Sequence, residues 1–144
     1  MKKNNSLSFF IPTKETGLDA ILINTGISAG FPSPAGDYKQ ERISLDKELI
    51  KNQEATFFAR VSGESMVNAG LEDGDLIIID RSIEPANNKI AVCYVDGEFT
   101  VKRLRVKKGK IWLQPENSKY QPIEIKDDNE LIIWGIVTNV VKKL

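Results

Sequence analysis

Ile90-Ala91-Val92-Cys93-Tyr94-Val95-Asp96-Gly97-Glu98-Phe99-Thr100-Val101-Lys102-Arg103-Leu104 consists of two runs rich in β-branched and aromatic residues joined by Asp-Gly. Asp-Gly accepts the positive φ angles of a two-residue hairpin turn, so the stretch reads as two antiparallel strands. Strand alternation places Lys102 on the face that carries Thr100, Leu104 and Val106, and a lysine kept from water is biased towards its neutral form. Working outward, Phe57 to Val61, Asp75 to Asp80, Lys89 to Val95, Glu98 to Val106, Lys110 to Gln114 and Leu131 to Val141 are further runs of the same kind. Lys108-Gly109 marks a second turn, and strands do not alternate with helices. The expected fold is mainly β, a compact antiparallel domain. Trp112, Trp134, Ile132, Ile133, Ile136 and Val137 are expected in its core or at a dimer interface rather than stacked on a ligand.

Upstream, Val61-Ser62-Gly63-Glu64-Ser65-Met66 sets a serine between a glycine turn and strand-like sequence, a place where a hydroxyl can be held rigidly at a surface. Two readings of Ser65 stand. It is a nucleophile, or it caps the short turn that ends at Gly70, as serine commonly does. The chain has no histidine, so a Ser-His-Asp triad is excluded, and lysine is the replacement base if Ser65 is activated by a side chain. Lys102 is then the general base, and the backbone N–H groups of Glu64 and Ser65 are candidates for stabilising an oxyanion. The competing reading makes Lys102 the start of a solvated basic hairpin with Arg103, Arg105, Lys107, Lys108 and Lys110.

Twenty basic and twenty acidic side chains cancel, so no global field draws the protein to nucleic acid or an anionic membrane. Cys93 is the only cysteine; it reads as a buried strand residue with a reduced thiol, which argues against a zinc site or a cysteine nucleophile. No metal or cofactor is expected. No apolar run approaches the roughly 20 residues of a membrane span, and Leu7 to Pro12 is a poor signal-peptide core; the expected localisation is cytoplasmic. Residues 1–29 are too few for a helix-turn-helix head, so direct sequence-specific DNA binding is not expected.

Residues 24–44 carry the glycines, serines and prolines of an extended loop, with the small pair Ala29-Gly30 inside it. Such a segment is either a plain linker or the substrate of a protease, which binds extended chain. The stretch from Gly30 to Thr56 reaches about 85 Å when fully extended, at about 3.3 Å per residue. Ser44-Leu45-Asp46-Lys47-Glu48-Leu49-Ile50 reads as a short capped helix docking through Leu45, Leu49 and Ile50.

Four motifs carry a resemblance that spans Ala29 to Leu144: Ala29-Gly30-Phe31-Pro32-Ser33-Pro34, Ser62-Gly63-Glu64-Ser65-Met66, Asp73-Gly74-Asp75-Leu76 and Val95 to Leu104. In this order and spacing they resemble the LexA/UmuD family of self-cleaving serine peptidases. The resemblance implies that Ser65 is the nucleophile, Lys102 its base, and Ala29-Gly30 the bond that is cut. It also implies a flexible N-terminal arm, residues 1–29, removed by that cut; an extended arm with a short helix over 30–56; and a β catalytic and dimerisation domain over 57–144. The implied partners are a second copy in a homodimer, a RecA filament on single-stranded DNA that stimulates cleavage, and a UmuC-like Y-family polymerase for translesion synthesis in the SOS response. Glu64 stands where the motif usually has aspartate, and Ala29 where the best-known UmuD proteins have cysteine. Asn68 stands where the related signal peptidases usually have proline. Two alternatives remain: a dimeric binding module that no longer cuts, and a peptidase acting on other chains.

Overall fold

Asp96 and Gly97 both have positive φ, 47° and 88°, and so do Lys108 and Gly109, 51° and 75°; each pair forms the tight turn its sequence predicts. The computed structural model describes residues 7–13, 20–23, 29–30 and 40–144. These fall into two compact units, one made of the described residues of Met1–Pro12 with Asn52–Leu144, the other of those in Thr13–Lys51. Among the described residues no helix is long and apolar enough to cross a membrane.

In chain order the strands are β1 (Ser8–Phe10), β2 (Ala20–Ile23), β3 (Gln40–Ile43), β4 (Thr56–Arg60), β5 (Leu76–Asp80), β6 (Ile90–Val95), β7 (Glu98–Lys107), β8 (Lys110–Gln114), β9 (Ile123–Glu124) and β10 (Leu131–Val141). The first unit holds one sheet in the order β1-β4-β5-β10-β6-β7-β8-β9, and every neighbouring pair is antiparallel. The mainly antiparallel β architecture expected from the residue pattern is the one observed, with boundaries that match within about a residue for the six strands read from sequence.

The central strands are buried on both faces. Val92 and Val101 pack with Ala59, Met66, Ile77 and Ile79 in one cluster, while Ala91, Cys93, Leu104, Leu113 and Ile136 form another. Ile77, Ile79, Leu113 and Val92 are among the largest side chains with almost no solvent contact, each worth about 1.5–3 kcal/mol of burial. In β10 the register slips twice, between Ile133 and Gly135 against β6 and between Val137 and Asn139 against β5. The bulge at Trp134 turns that ring into a group with Phe9, Phe57 and Phe99, at centroid separations of 4.8, 5.0 and 6.2 Å. Arg81 lies 4.5 Å over the same ring and donates to the Trp134 carbonyl, a cation–π contact on an exposed side chain.

Four strands lie outside the sequence reading. β1, three residues long, pairs with β4 as an edge strand, because Phe9 fills the aromatic group between Phe99 and Trp134; three residues carry too little alternation to be read alone. The span 1–29 is therefore divided, with β1 in the first unit and Ala20–Ile23 in the second. β9 adds two residues to β8. In the second unit β2 pairs antiparallel with β3, followed by the helix α1 (Leu45–Leu49). Ser44 precedes the helix, yet its side chain makes no capping bond, and Leu45 is 62% exposed rather than docked. In a five-residue helix without a cap, the Glu48 N–H to Ser44 carbonyl bond at 3.0 Å closes a single turn.

Gly135 leaves room for the side chains at the end of β5, since a Cβ there would lie 2.5 Å from Ile79 Cγ2 and 3.2 Å from Arg81 Cγ. Ile79 is fully buried and has no space into which to withdraw. Gly135→Ala is expected to destabilise the fold by about 1–3 kcal/mol, read as a lower urea midpoint with an unchanged slope.

Candidate active site

β4 ends at Arg60, and the chain that follows is held against the turn before β5. Val61 N–H donates to the Asp75 carbonyl and Gly74 N–H to the Val61 carbonyl, both at 2.8 Å; Gly63 N–H donates to Asp73 Oδ1, also at 2.8 Å. Gly63 has φ of 97°, a conformation that favours glycine. The Met66 side chain, 2% exposed, plugs the residue after Ser65 into the core. Its carbonyl accepts from Ala69 N–H and Leu71 N–H. The Glu64 carbonyl accepts from Asn117 Nδ2 at 2.8 Å, and Asn68 N–H donates to the Glu116 carbonyl. Ser65 is thus fixed from both sides, by the 72–75 turn and by the segment after β8. Asp75, itself buried, also accepts from Glu72 N–H and pairs with Lys142; that hydrogen bond is the chief cause holding the Lys142 ammonium above its ordinary pKa.

The short turn Val67–Ala69 starts after Met66 and has no side-chain cap. The Ser65 hydroxyl points elsewhere: it accepts a hydrogen bond of 3.0 Å from Lys102 Nζ. The same nitrogen donates to Thr100 Oγ1 at 2.6 Å and to the Val101 carbonyl at 3.1 Å. Across the β6–β7 register Lys102 faces Ala91 and Thr100 faces Cys93, so all four side chains share one face.

Lys102 is 8% exposed, so it is not part of a solvated basic face. Burial lowers its pKa from 10.5 to about 8. Cys93 opposes this weakly, but burial pushes that thiol up to about 12, so it carries no charge near neutral pH. No carboxylate is a hydrogen-bonding partner of Nζ among the described residues. The three contacts also order the protons. The Val101 carbonyl only accepts, and Thr100 can accept a second N–H; a neutral amine then turns its lone pair to the Ser65 O–H. This arrangement can take a proton from a serine hydroxyl. Beside Ser65 lies a small cleft of about 20 Å³ bordered by Leu7, Gly63, Met66, Phe99 and Thr100.

Ala29 and Gly30 sit at an exposed bend in the second unit. The sequence reading did not single out Asn117, which reaches Glu64 from 53 positions away with no local pattern to announce it. Thr100 was legible as a neighbour of Lys102 on one strand face, though not as its hydrogen-bond partner.

The peptidase S24-like family matches residues 21–138. The chain belongs to that family. SamA of Salmonella typhimurium is 44% identical over 124 residues, which cover 86% of each chain. MucA of Escherichia coli is 41% identical over 114 residues, 78% of this chain and 77% of the relative. LexA repressor 1 of Geobacter sulfurreducens is 36% identical over 119 residues, 82% of this chain but 58% of that longer protein. The matched region of this S24-like chain contains both Ser65 and Lys102.

An ammonium held in the fold at a pKa near 8 opposes folding. The unfolded chain binds more protons between about pH 8 and pH 10.5, so stability rises with pH through that window, and below it the cost is about 3 kcal/mol. Lys102→Met, similar in length and uncharged, is expected to gain about 1–3 kcal/mol at pH 7 in urea unfolding, with the gain shrinking above pH 8.

Proposed function

We propose that this chain is a serine-lysine peptidase that cuts its own Ala29-Gly30 bond. The observation that carries the reading is the 3.0 Å contact between Ser65 Oγ and a buried Lys102 Nζ. Lowering the lysine pKa from 10.5 to about 8 raises its neutral fraction at pH 7 about 300-fold, to about one molecule in ten.

In the proposed reaction neutral Lys102 takes the Ser65 proton as Oγ attacks the carbonyl carbon of Ala29. The Glu64 and Ser65 N–H groups stabilise the resulting oxyanion. Collapse breaks the Ala29–Gly30 bond, and Lys102 returns the proton to the Gly30 amine. Water, deprotonated by Lys102, then hydrolyses the Ala29 ester, leaving a carboxylate and free Ser65. Thr100 and Val101 hold the amine in place throughout. A cleft as small as the one beside Ser65 suits the methyl of Ala29. Because the substrate is tethered, presentation of the arm sets the rate as much as the chemistry does.

The wider role in this reading is that of the LexA/UmuD family: a cytoplasmic homodimer, cut on contact with a RecA filament, whose residues 30–144 support a UmuC-like Y-family polymerase in translesion synthesis. It is supported by the four motifs and by the similarity to SamA and MucA. The pairing of β1 with β4 adds a detail, since it ties Ser8–Phe10 to the sheet that carries Lys102 in the uncut chain.

Intact-mass analysis at alkaline pH, and near neutral pH with a RecA filament, tests this. Wild type should yield fragments 1–29 and 30–144, while Ser65→Ala and Lys102→Ala stay whole. The unstimulated rate should climb about tenfold per pH unit below pH 8 and level off above it, as the neutral lysine saturates. A wild-type chain that stays whole under both conditions sinks the reading.

A further inference from the structure

A second hollow, much roomier than the cleft beside Ser65, lies elsewhere on the first unit. A cavity of about 490 Å³ opens on the β7–β8 hairpin, lined by Arg105, Lys107, Lys108, Lys110, Trp112 and Pro122, and it shares no lining residue with the serine cleft. The register explains its composition. Arg105 stands opposite Trp112 and Lys107 opposite Lys110, so two cations of β7, one of β8 and the indole project from the same face of the sheet. Lys108 joins them from the turn.

The charges around this hollow are poorly offset. Lys110 lies 3.4 Å from Glu124 Oε1, a long surface contact between an exposed lysine and a half-buried carboxylate that is worth little. Arg105 is oriented by neutral groups, donating to Gln114 Oε1 and to Asn88 Oδ1. Lys107 and Lys108, both exposed, have no ion pair among the described residues. Four cations therefore stand beside one paired carboxylate in a chain whose total charge is zero. Repulsion among them is relieved by an anion. A simple anion, however, makes no use of the apolar wall that Trp112 and Pro122 supply.

We propose that this hollow binds single-stranded nucleic acid, with backbone phosphates on Arg105, Lys107 and Lys108 and an unpaired base against Trp112. The pairing of a cationic row with an aromatic side chain suits a strand whose base faces are open. In a duplex those faces are covered by stacking, and the minor and major grooves offer only base edges. The net charge of zero argued against a general affinity for nucleic acid; the folded hairpin concentrates locally what the composition averages away. The proposal is independent of the peptidase reading.

The test is fluorescence anisotropy of a labelled 20-nucleotide oligothymidylate with the full chain, at salt from about 50 to about 200 mM. Saturable binding is expected, weakening about 20-fold over that range if about three phosphates are neutralised. Trp112→Leu should weaken binding at least about fivefold and leave the salt slope unchanged, since stacking and charge act separately. Lys107→Gln/Lys108→Gln should reduce the slope by about 1.4. Thymidine monophosphate, with one phosphate, should compete far less well than the unlabelled oligonucleotide. The proposal is overturned if no saturable binding occurs, if Trp112→Leu binds as wild type does, if a duplex of equal length binds as tightly, or if polyglutamate displaces the strand as well as unlabelled oligonucleotide does. That last result would assign the hollow to an acidic protein segment. Melting curves check that Trp112→Leu folds; if it does not, the lysine double variant, changed only at exposed positions, decides, and unchanged affinity and slope overturn the proposal.

Discussion

The contact on which the site depends is an amine held in an apolar sheet against a serine hydroxyl with no carboxylate bonded to it. In water the Lys102 charge would be solvated, and near a carboxylate it would be paired; either would leave the nitrogen without a free lone pair at neutral pH. Burial alone brings its pKa to about 8, and every other feature of the site serves to keep that burial and aim it. β6 covers one side of β7 with Ala91 and Cys93, residues small enough to let the lysine lie flat and too apolar to stabilise its charge. Cys93 strengthens the point, because a thiol pushed up to about 12 offers no counter-ion.

Fixing the serine is a separate problem, solved by hydrogen bonds to the backbone of its loop and of the adjoining turn, most of them made by side chains. Asp73, Asp75, Asn117 and the Glu116 carbonyl hold the loop on either side of Ser65, and Met66 anchors it in the core. The hydroxyl and the amine come from loops and strands far apart in the chain, and the sheet turns that separation into 3.0 Å. The energetic opposition of a buried ammonium is carried by the surrounding core, in which Ile77, Ile79 and Val92 are fully enclosed. A site of this kind is destabilising by design of its chemistry, since the group that makes it reactive is one the fold would be more stable without.

The β10 strand shows how irregularity serves packing. Its bulge at Trp134 swings the indole into the group that receives Phe9, and Gly135 beside it leaves room for the side chains at the end of β5. Through Phe9 the N-terminal segment is tied to the sheet that carries the serine and lysine, and Leu7 borders the cleft itself.

Much was legible beforehand because it is local. Alternation along β7, the positive-φ turns at Asp96-Gly97 and Lys108-Gly109, and the absence of histidine follow from the identity and order of neighbouring residues, and they sufficed for the antiparallel fold and for pairing Ser65 with Lys102 as candidates. What was not legible is what depends on neighbours distant in the chain. β1 and β9 are too short to carry a period and exist only because a longer strand offers an edge. The basic stretch after Lys102 divides into a buried lysine and an exposed hollow that a list of charges cannot distinguish. Trp112, expected in a core or an interface, borders that hollow. The amino-acid order determined which groups could react, since side-chain chemistry and strand period are local properties. Only the tertiary structure decided which were kept from water and which met, because desolvation and contact are set by residues brought together from far apart in the chain.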